Sequence, residues 1–269
     1  MGEPKQTPVR RSLAPYVPRL LRRWELDAGS EKYQQIEGTL CLVDISGFTN
    51  LSERLASLGR IGTEELTDHL NTVFGEMLEL ALGRGGTLLK FGGDALLLAF
   101  SGEDHPSRAC SAAVEMNAAL RASAQRPTSV GRLGLRMSVG VHSGAIDLFR
   151  AGDSHHELII TGPAASAVTG LEHEASPGEI LVGAATRAAL PPGSATARKG
   201  PGWKLRWRKA RGEAPGPPTR AGSLNEDIIA MCLPSALRTY LREASTEAEH
   251  RRATVGFIRF SGIDDMLDA

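Results

Sequence analysis

Residues 85–100 read GGTLLKFGGDALLLAF, which sets Lys90 and Asp94 around two glycines inside an otherwise apolar run. A buried strand has no use for either charge, whereas a site for a charged ligand has a use for both. A second aspartate, Asp44, falls near the end of GTLCLVDI (38–45), a run with the length and branched content of a buried strand. If these strands are neighbours, both carboxylates reach one edge of a sheet. Paired carboxylates suit Mg²⁺, which completes its shell with phosphate oxygens and water. The backbone amides of Ile45, Ser46, Gly47, Phe48 and Thr49 lead into a helix, and so offer N–H donors and a positive dipole end to phosphate. Two metal ions beside such a nest suit phosphoryl transfer on a nucleotide. Plainer readings exist: aspartate is common at strand ends, and Gly-Gly-Asp makes a good hairpin turn with no function.

These residues need a scaffold, and its pieces are readable. SGFTN turns the first strand into a helix through LSERLASL, and a longer helix fits 63–83, with Thr63 as its cap and Leu66, Leu70, Val73, Phe74, Met77 and Leu80 as one apolar stripe. TLLK and DALLLAF read as a hairpin joined by FGG. A helix at 106–122 follows, then two strands around HSG in LGLRMSVGVHSGAIDLF (133–149), a strand at 157–161, a helix at 163–174, a strand at 179–183, a short helix over AATRAAL, and an alternating strand WKLRWRK. That order predicts an α+β sheet with helices packed on it rather than a doubly wound fold.

Composition narrows the function. The 31 basic and 31 acidic side chains of the 269 residues cancel, which argues against a nucleic-acid partner. No stretch is apolar and long enough to span a membrane. Cys41, Cys110 and Cys232 are far apart and odd in number, with neither disulfide nor zinc spacing, which reads as a reducing, cytoplasmic setting. The first 36 residues are basic and broken by Pro4, Pro8, Pro15 and Pro18, and are read as a solvated or partner-docking arm. His155 and His156 are read as a solvated loop, Trp203 and Trp207 as packing residues, and Cys41 as buried.

The division expected is an arm (1–36), one main domain (37–211), a linker containing a helix around 234–243 (212–252), and a final segment (253–269). The last segment is unexpected. TVGFIRFSGIDDML (254–267) repeats the pattern of TLCLVDISGFTNLS (39–52), an apolar strand followed by Ser-Gly. It reads as the start of a truncated second copy of the domain, against the alternative of chance likeness between apolar strands.

VDISGFTNLSER, followed by LNTVFGEMLELALGRGGTLLKFGGDALLLAF, LRMSVGVHSG and TGPAASAVTGLEHEASPGEILV, resembles the class III nucleotidyl cyclases over roughly residues 37–210. The nearest likeness is to the first catalytic domain of bicarbonate-responsive soluble adenylyl cyclases. The resemblance implies a ferredoxin-like βαββαβ core and head-to-tail pairs of domains with active sites between them. It implies two Mg²⁺ or Mn²⁺ ions on Asp44, Asp94 and the Ile45 carbonyl, and a triphosphate held by Arg136. It also implies conversion of ATP to 3′,5′-cyclic AMP and pyrophosphate.

The other half of a family site holds a base-selecting lysine, a second base contact, an asparagine and an arginine. Lys90 matches the lysine. Ile159, Ser166 and Gly170 occupy the other three positions, and Thr169 stands where soluble adenylyl cyclases place an arginine that, with the lysine, holds bicarbonate. The domain thus carries the metal half and a degenerate pseudo-site. A second cyclase domain, in the same or another chain, would supply what is missing; in the terminal repeat Arg259 aligns with Asp44, a departure in the complementary direction. GTP as substrate, and a non-catalytic regulatory or dimerisation module, are the alternatives.

Overall fold

A computed structural model describes residues 13–27, 31–132, 134–206, 226–243, 254 and 256. A short 3-10 turn, Ala14–Tyr16, leads into α1 (Arg19–Asp27). The strand expected at 38–45 is the inner part of β1 (Tyr33–Ser46), so the main domain begins inside the expected arm. Then come α2 (Phe48–Ala56), α3 (Arg60–Gly83), the hairpin β2 (Thr87–Gly92) and β3 (Ala95–Ser101), and α4 (His105–Ser123). A two-residue ladder, β4 (Pro127–Thr128) with β5 (Gly131–Arg132), precedes β6 (Arg136–Ala151), β7 (Glu157–Thr161) and α5 (Pro163–Glu174). The domain finishes with β8 (Ile180–Val182), α6 (Ala184–Ala189), β9 (Ala195–Lys199) and β10 (Gly202–Leu205), and α7 (Glu226–Met231) and α8 (Ser235–Glu243) follow.

The main sheet runs β2-β3-β1-β6-β8-β10-β9, with β7 also on β6. Every pairing is antiparallel except β6 with β8. Within it, β1-α2/α3-β2-β3-α4-β6 gives the strand order β6-β1-β3-β2, the ferredoxin-like arrangement that the sequence led us to expect.

Period-two alternation sends neighbouring side chains of β1 to opposite faces. Cys41, Val43 and Ile45 pack with Leu96, Leu98 and Phe100 of β3 under Met77 of α3 and Met116 of α4. Leu40 turns the other way, to Leu89, Ile146 and Leu148 and to Ala164 and Val168 of α5.

Several expectations are corrected. The HSG stretch does not split β6. Its residues stay paired with β1, with Gly38 opposite Gly144, and the buried Ser143 hydroxyl bonds to Thr39 at 2.7 Å and Thr186 at 2.9 Å, so the polar interruption is satisfied within the strand. Helix α3 starts at Arg60, and the Thr63 hydroxyl donates to the Gly59 carbonyl instead of capping the helix.

The largest correction concerns the N-terminal segment. Leu13, Val17, Leu21 and Trp24 are each at most 3 % exposed, and they fill the second face of the sheet together with Ile229, Cys232 and Leu233. Leu21 and Trp24, three residues apart, share one face of α1, Leu13 and Val17 flank the 3-10 turn before it, and Pro15 and Pro18 also precede α1, where proline is tolerated. His155 and His156 do lie in the loop between β6 and β7, but both are partly buried rather than solvated. Glu25, on α1, accepts from Arg150 at 3.1 Å and bonds His156 Nδ1 at 2.7 Å. Trp207, most of the linker's first part and the terminal repeat lie outside the described residues, apart from Thr254 and Gly256.

The sheet also curls. On a flat sheet β2 and β7 would stand four strand spacings apart, roughly 19 Å, yet Lys90 Nζ on β2 lies 2.7 Å from Glu157 Oε2 on β7. The far ends of β1 and β6 therefore carry β7 back over the face that holds α1.

Candidate active site

Asp44 is the third-last residue of β1 and pairs with Ala95 at the start of β3. Asp94 occupies the turn just before Ala95, behind Gly93, whose φ of +66° favours glycine. The Ile45 N–H donates to the Asp94 carbonyl at 3.1 Å, which pins the turn to the end of β1. Burial holds the Asp44 carboxyl above the ordinary carboxylate range, and the neighbouring Asp94 pushes it the same way. Two half-buried acids thus share one corner and repel each other, the electrostatic setting that a divalent cation relieves.

A third acid, Glu172 of α5, was not singled out from the sequence. Burial raises its pKa first, and the charge of Asp44 raises it further, with His173 opposing. The signal was available: Val168 is buried beneath α5, and a residue four further on shares its face.

The other phosphate-binding candidates gather at this corner. Gly47, at φ +91°, turns the chain into α2, and no side chain caps that helix, so the amides of Gly47, Phe48 and Thr49 remain for an anion. The Ile45 amide does not, because Asp94 uses it. Ser46 pairs with Arg136, the first residue of β6, so the exposed Arg136 stands at the same sheet end. Among the described residues no group of three or more His, Cys, Asp or Glu side chains is arranged to hold a metal. A two-carboxylate corner open to substrate phosphates is nonetheless the usual form of a Mg²⁺ site.

The pseudo-site residues form a second group. Lys90 is tied to Glu157, both about half exposed. Ile159 is 46 % exposed on β7, and Ser166, Thr169 and Gly170 are exposed on α5. The Thr169 hydroxyl donates back to the Ala165 carbonyl at 2.9 Å. A Cβ on Gly170 would meet nothing within 4 Å, so packing does not demand glycine there. Cavities of about 410 and 530 Å³ are lined by residues of α4, α6 and β8–β10 and by adjoining loops, and touch neither group.

Residues 30–206 match the family described as adenylate and guanylate cyclase catalytic domain. The chain belongs to that family. Adenylate cyclase type 10 of rabbit (Oryctolagus cuniculus) is 28 % identical to this cyclase domain over 153 residues, which are 55 % of this chain and 10 % of the relative. The human protein of the same name is 27 % identical over 150 residues, 54 % of this chain and 9 % of the relative. The chain thus spans about a tenth of the length of these curated relatives. Among solved structures, the adenylyl cyclase CyaB from P. aeruginosa aligns with a TM-score of 0.55 at 25 % identity, covering 67 % of this chain and 98 % of that one. The guanylyl cyclase Cya2 aligns at 0.53 and 26 %, covering 65 % and 94 %. Among the described residues of the cyclase domain and its flanks, no helix is long and apolar enough to cross a membrane.

Proposed function

We propose that this domain is the metal-bearing half of an adenylyl cyclase, converting ATP to 3′,5′-cyclic AMP and pyrophosphate with a second cyclase domain that supplies the complementary residues. The observation that carries the reading is the corner where the Ile45 amide pins the Asp94 turn against β1 beside Asp44. Two Mg²⁺ or Mn²⁺ ions fit there, held by the Asp44 and Asp94 carboxylates and the Ile45 carbonyl. When bound they would lower the pKa of the ribose 3′-hydroxyl and offset charge on the phosphates.

The chain's own part is to position. Arg136 and the amides of Gly47, Phe48 and Thr49 hold the triphosphate so that the α-phosphorus faces the 3′-oxygen. As the 3′-oxygen bonds to the α-phosphorus and gives up its proton to solvent, the bond from the α-phosphorus to the bridging oxygen breaks and pyrophosphate leaves. Gly170 has no side chain to stabilise the charge that develops, a contribution of about 3–4 kcal/mol for a single donor, and Ser166 offers a hydroxyl in place of the family's asparagine, so the second domain must supply the cation.

Adenine over guanine is supported by the adenylate cyclases among the relatives; base choice rests with the partner domain, and GTP is the alternative substrate. A non-catalytic regulatory or dimerisation module is the second reading, favoured by Gly170, which carries no charge where the family places an arginine although a Cβ there would meet nothing within 4 Å. Three buried, unpaired thiols suit a reducing cytoplasm.

The test is cyclic AMP and cyclic GMP formation with Mg²⁺ or Mn²⁺, by this chain alone and joined to a second cyclase domain. We expect turnover only in the joined form, abolished by Asp94→Ala. Robust turnover by the chain alone would refute the complementary-half reading. Silence from both would assign the domain to the regulatory class.

A further inference from the structure

Away from the metal corner lies a buried charge that the cyclase reading does not use. Asp147 of β6 is 4 % exposed. It accepts from the Tyr33 hydroxyl at 2.7 Å and from Gln35 Nε2 at 2.9 Å, both on β1, and both bonds go to Oδ1. Among the described residues no donor reaches Oδ2, and no lysine, arginine or charged histidine pairs with this carboxylate. Two neutral donors on Oδ1 offset part of the cost of burying a carboxylate and leave Oδ2 without a partner of opposite charge.

Asp147 lines a cleft of about 270 Å³, together with Tyr33, Gln35, His142, Pro163 and Ala164. His142 brings no compensating charge. Its Nδ1 is buried without a hydrogen-bond partner, and burial holds the ring below the ordinary histidine range, so it stays neutral. The Tyr33 hydroxyl is held above its ordinary range chiefly by its hydrogen bond to Asp147. The cleft is separate from the metal corner. Pro163 and Ala164 begin α5, whereas Glu172, which senses Asp44, ends it.

We propose that this cleft is a second binding site, for a small organic cation with N–H donors, a primary ammonium or a guanidinium. The cation's charge meets Oδ2 of Asp147, and its carbon body lies against Tyr33, Pro163 and Ala164. The volume suits a small molecule and falls below that of drug-sized pockets.

The test uses the full chain and needs no turnover, so its outcome is independent of the cyclase reading. n-Butylammonium, n-butylguanidinium and the neutral 1-butanol are titrated while the backbone amide resonances of Gln35, Gly144, Ala145 and Ala164 are followed by NMR. We expect saturable shifts with at least one cation, at a Kd of about 1 mM, and none with the alcohol. In Asp147→Asn, checked for native secondary structure by circular dichroism, we expect affinity at least about tenfold lower. No saturation by either cation overturns the proposal, as does equal binding of the alcohol or undiminished binding to the Asn variant. Should that variant fail to fold, the comparison of cation with alcohol on the unmodified protein decides alone.

Discussion

Trp24 provides the sharpest test of the docked N-terminal helix. Its side chain is 2 % exposed, packs in the cluster with Leu40, Ile146 and Leu158, and has the Arg150 guanidinium 6.0 Å from its ring centre. Truncation to alanine removes roughly 200 Å² of buried side chain, about 5 kcal/mol at the usual coefficient, and measured aromatic-to-alanine changes run at about 3–5 kcal/mol. Trp24 also carries a buried indole N–H that finds no acceptor among the described residues. Trp24→Phe removes that unsatisfied donor while keeping most of the apolar volume, so we expect it to cost no more than about 1.5 kcal/mol. The assay is urea denaturation followed by circular dichroism, together with hydrogen exchange of the α1 amides. A Trp24→Ala midpoint equal to that of the unmodified protein, with α1 amides exchanging freely in both, would refute the docking. Equal costs for the Ala and Phe variants would refute the division between packing and polar terms.

Three further outcomes are expected. Glu179 accepts from Lys199 and Lys204, which hold its pKa down to about 2. A depressed carboxylate stabilises above its unfolded value and loses that contribution as pH falls from about 4.5 towards 2. Glu179→Gln should therefore cost about 1 kcal/mol at pH 7, given the partial exposure of the group, and nothing near pH 2; a cost that stays constant over that range in urea titrations contradicts the assignment. Gly140→Ala would place a Cβ 2.4 Å from the Val168 carbonyl oxygen and 2.7 Å from the Glu172 nitrogen. We expect it to force α5 off β6 at a cost of about 1–3 kcal/mol, read as a lowered Tm. Bicarbonate should change the turnover of the two-domain unit less than twofold, because Glu157 already engages Lys90 and Thr169 has no charge to offer; a several-fold stimulation would show an anion displacing Glu157.

The sequence disclosed the βαββαβ order and the pairing of Asp44 with Asp94, because both rest on local signals. Apolar runs mark the strands, Gly-Gly-Asp marks the turn, and the pairing of Asp44 with Ala95, together with the Ile45 N–H donating to the Asp94 carbonyl, then sets the two aspartates at one corner. What it concealed was long-range. HSG looked like a break because three small or polar residues usually end a strand, and only the partners Thr39 and Thr186 make them tolerable inside one. The basic, proline-rich start looked solvated because the surface that buries Leu21 and Trp24 comes from β2 and α7, with Arg150 of β6 beside Trp24. The ion pair between Lys90 and Glu157 depends on the curl of the sheet, which no local pattern announces.

The pairing of β1 with β6 has a consequence for the life of the chain before it is folded. Tyr33 sits opposite Phe149, so the centre of the sheet cannot close until more than a hundred residues have been made, and such non-local ladders fold slowly. Helix α1 finds its full cover only after Leu158 and Ile229 have been made, far downstream of it. During synthesis the apolar side chains of Leu13, Val17, Leu21 and Trp24 have nowhere native to go, and for that interval the segment is a natural ligand for a chaperone.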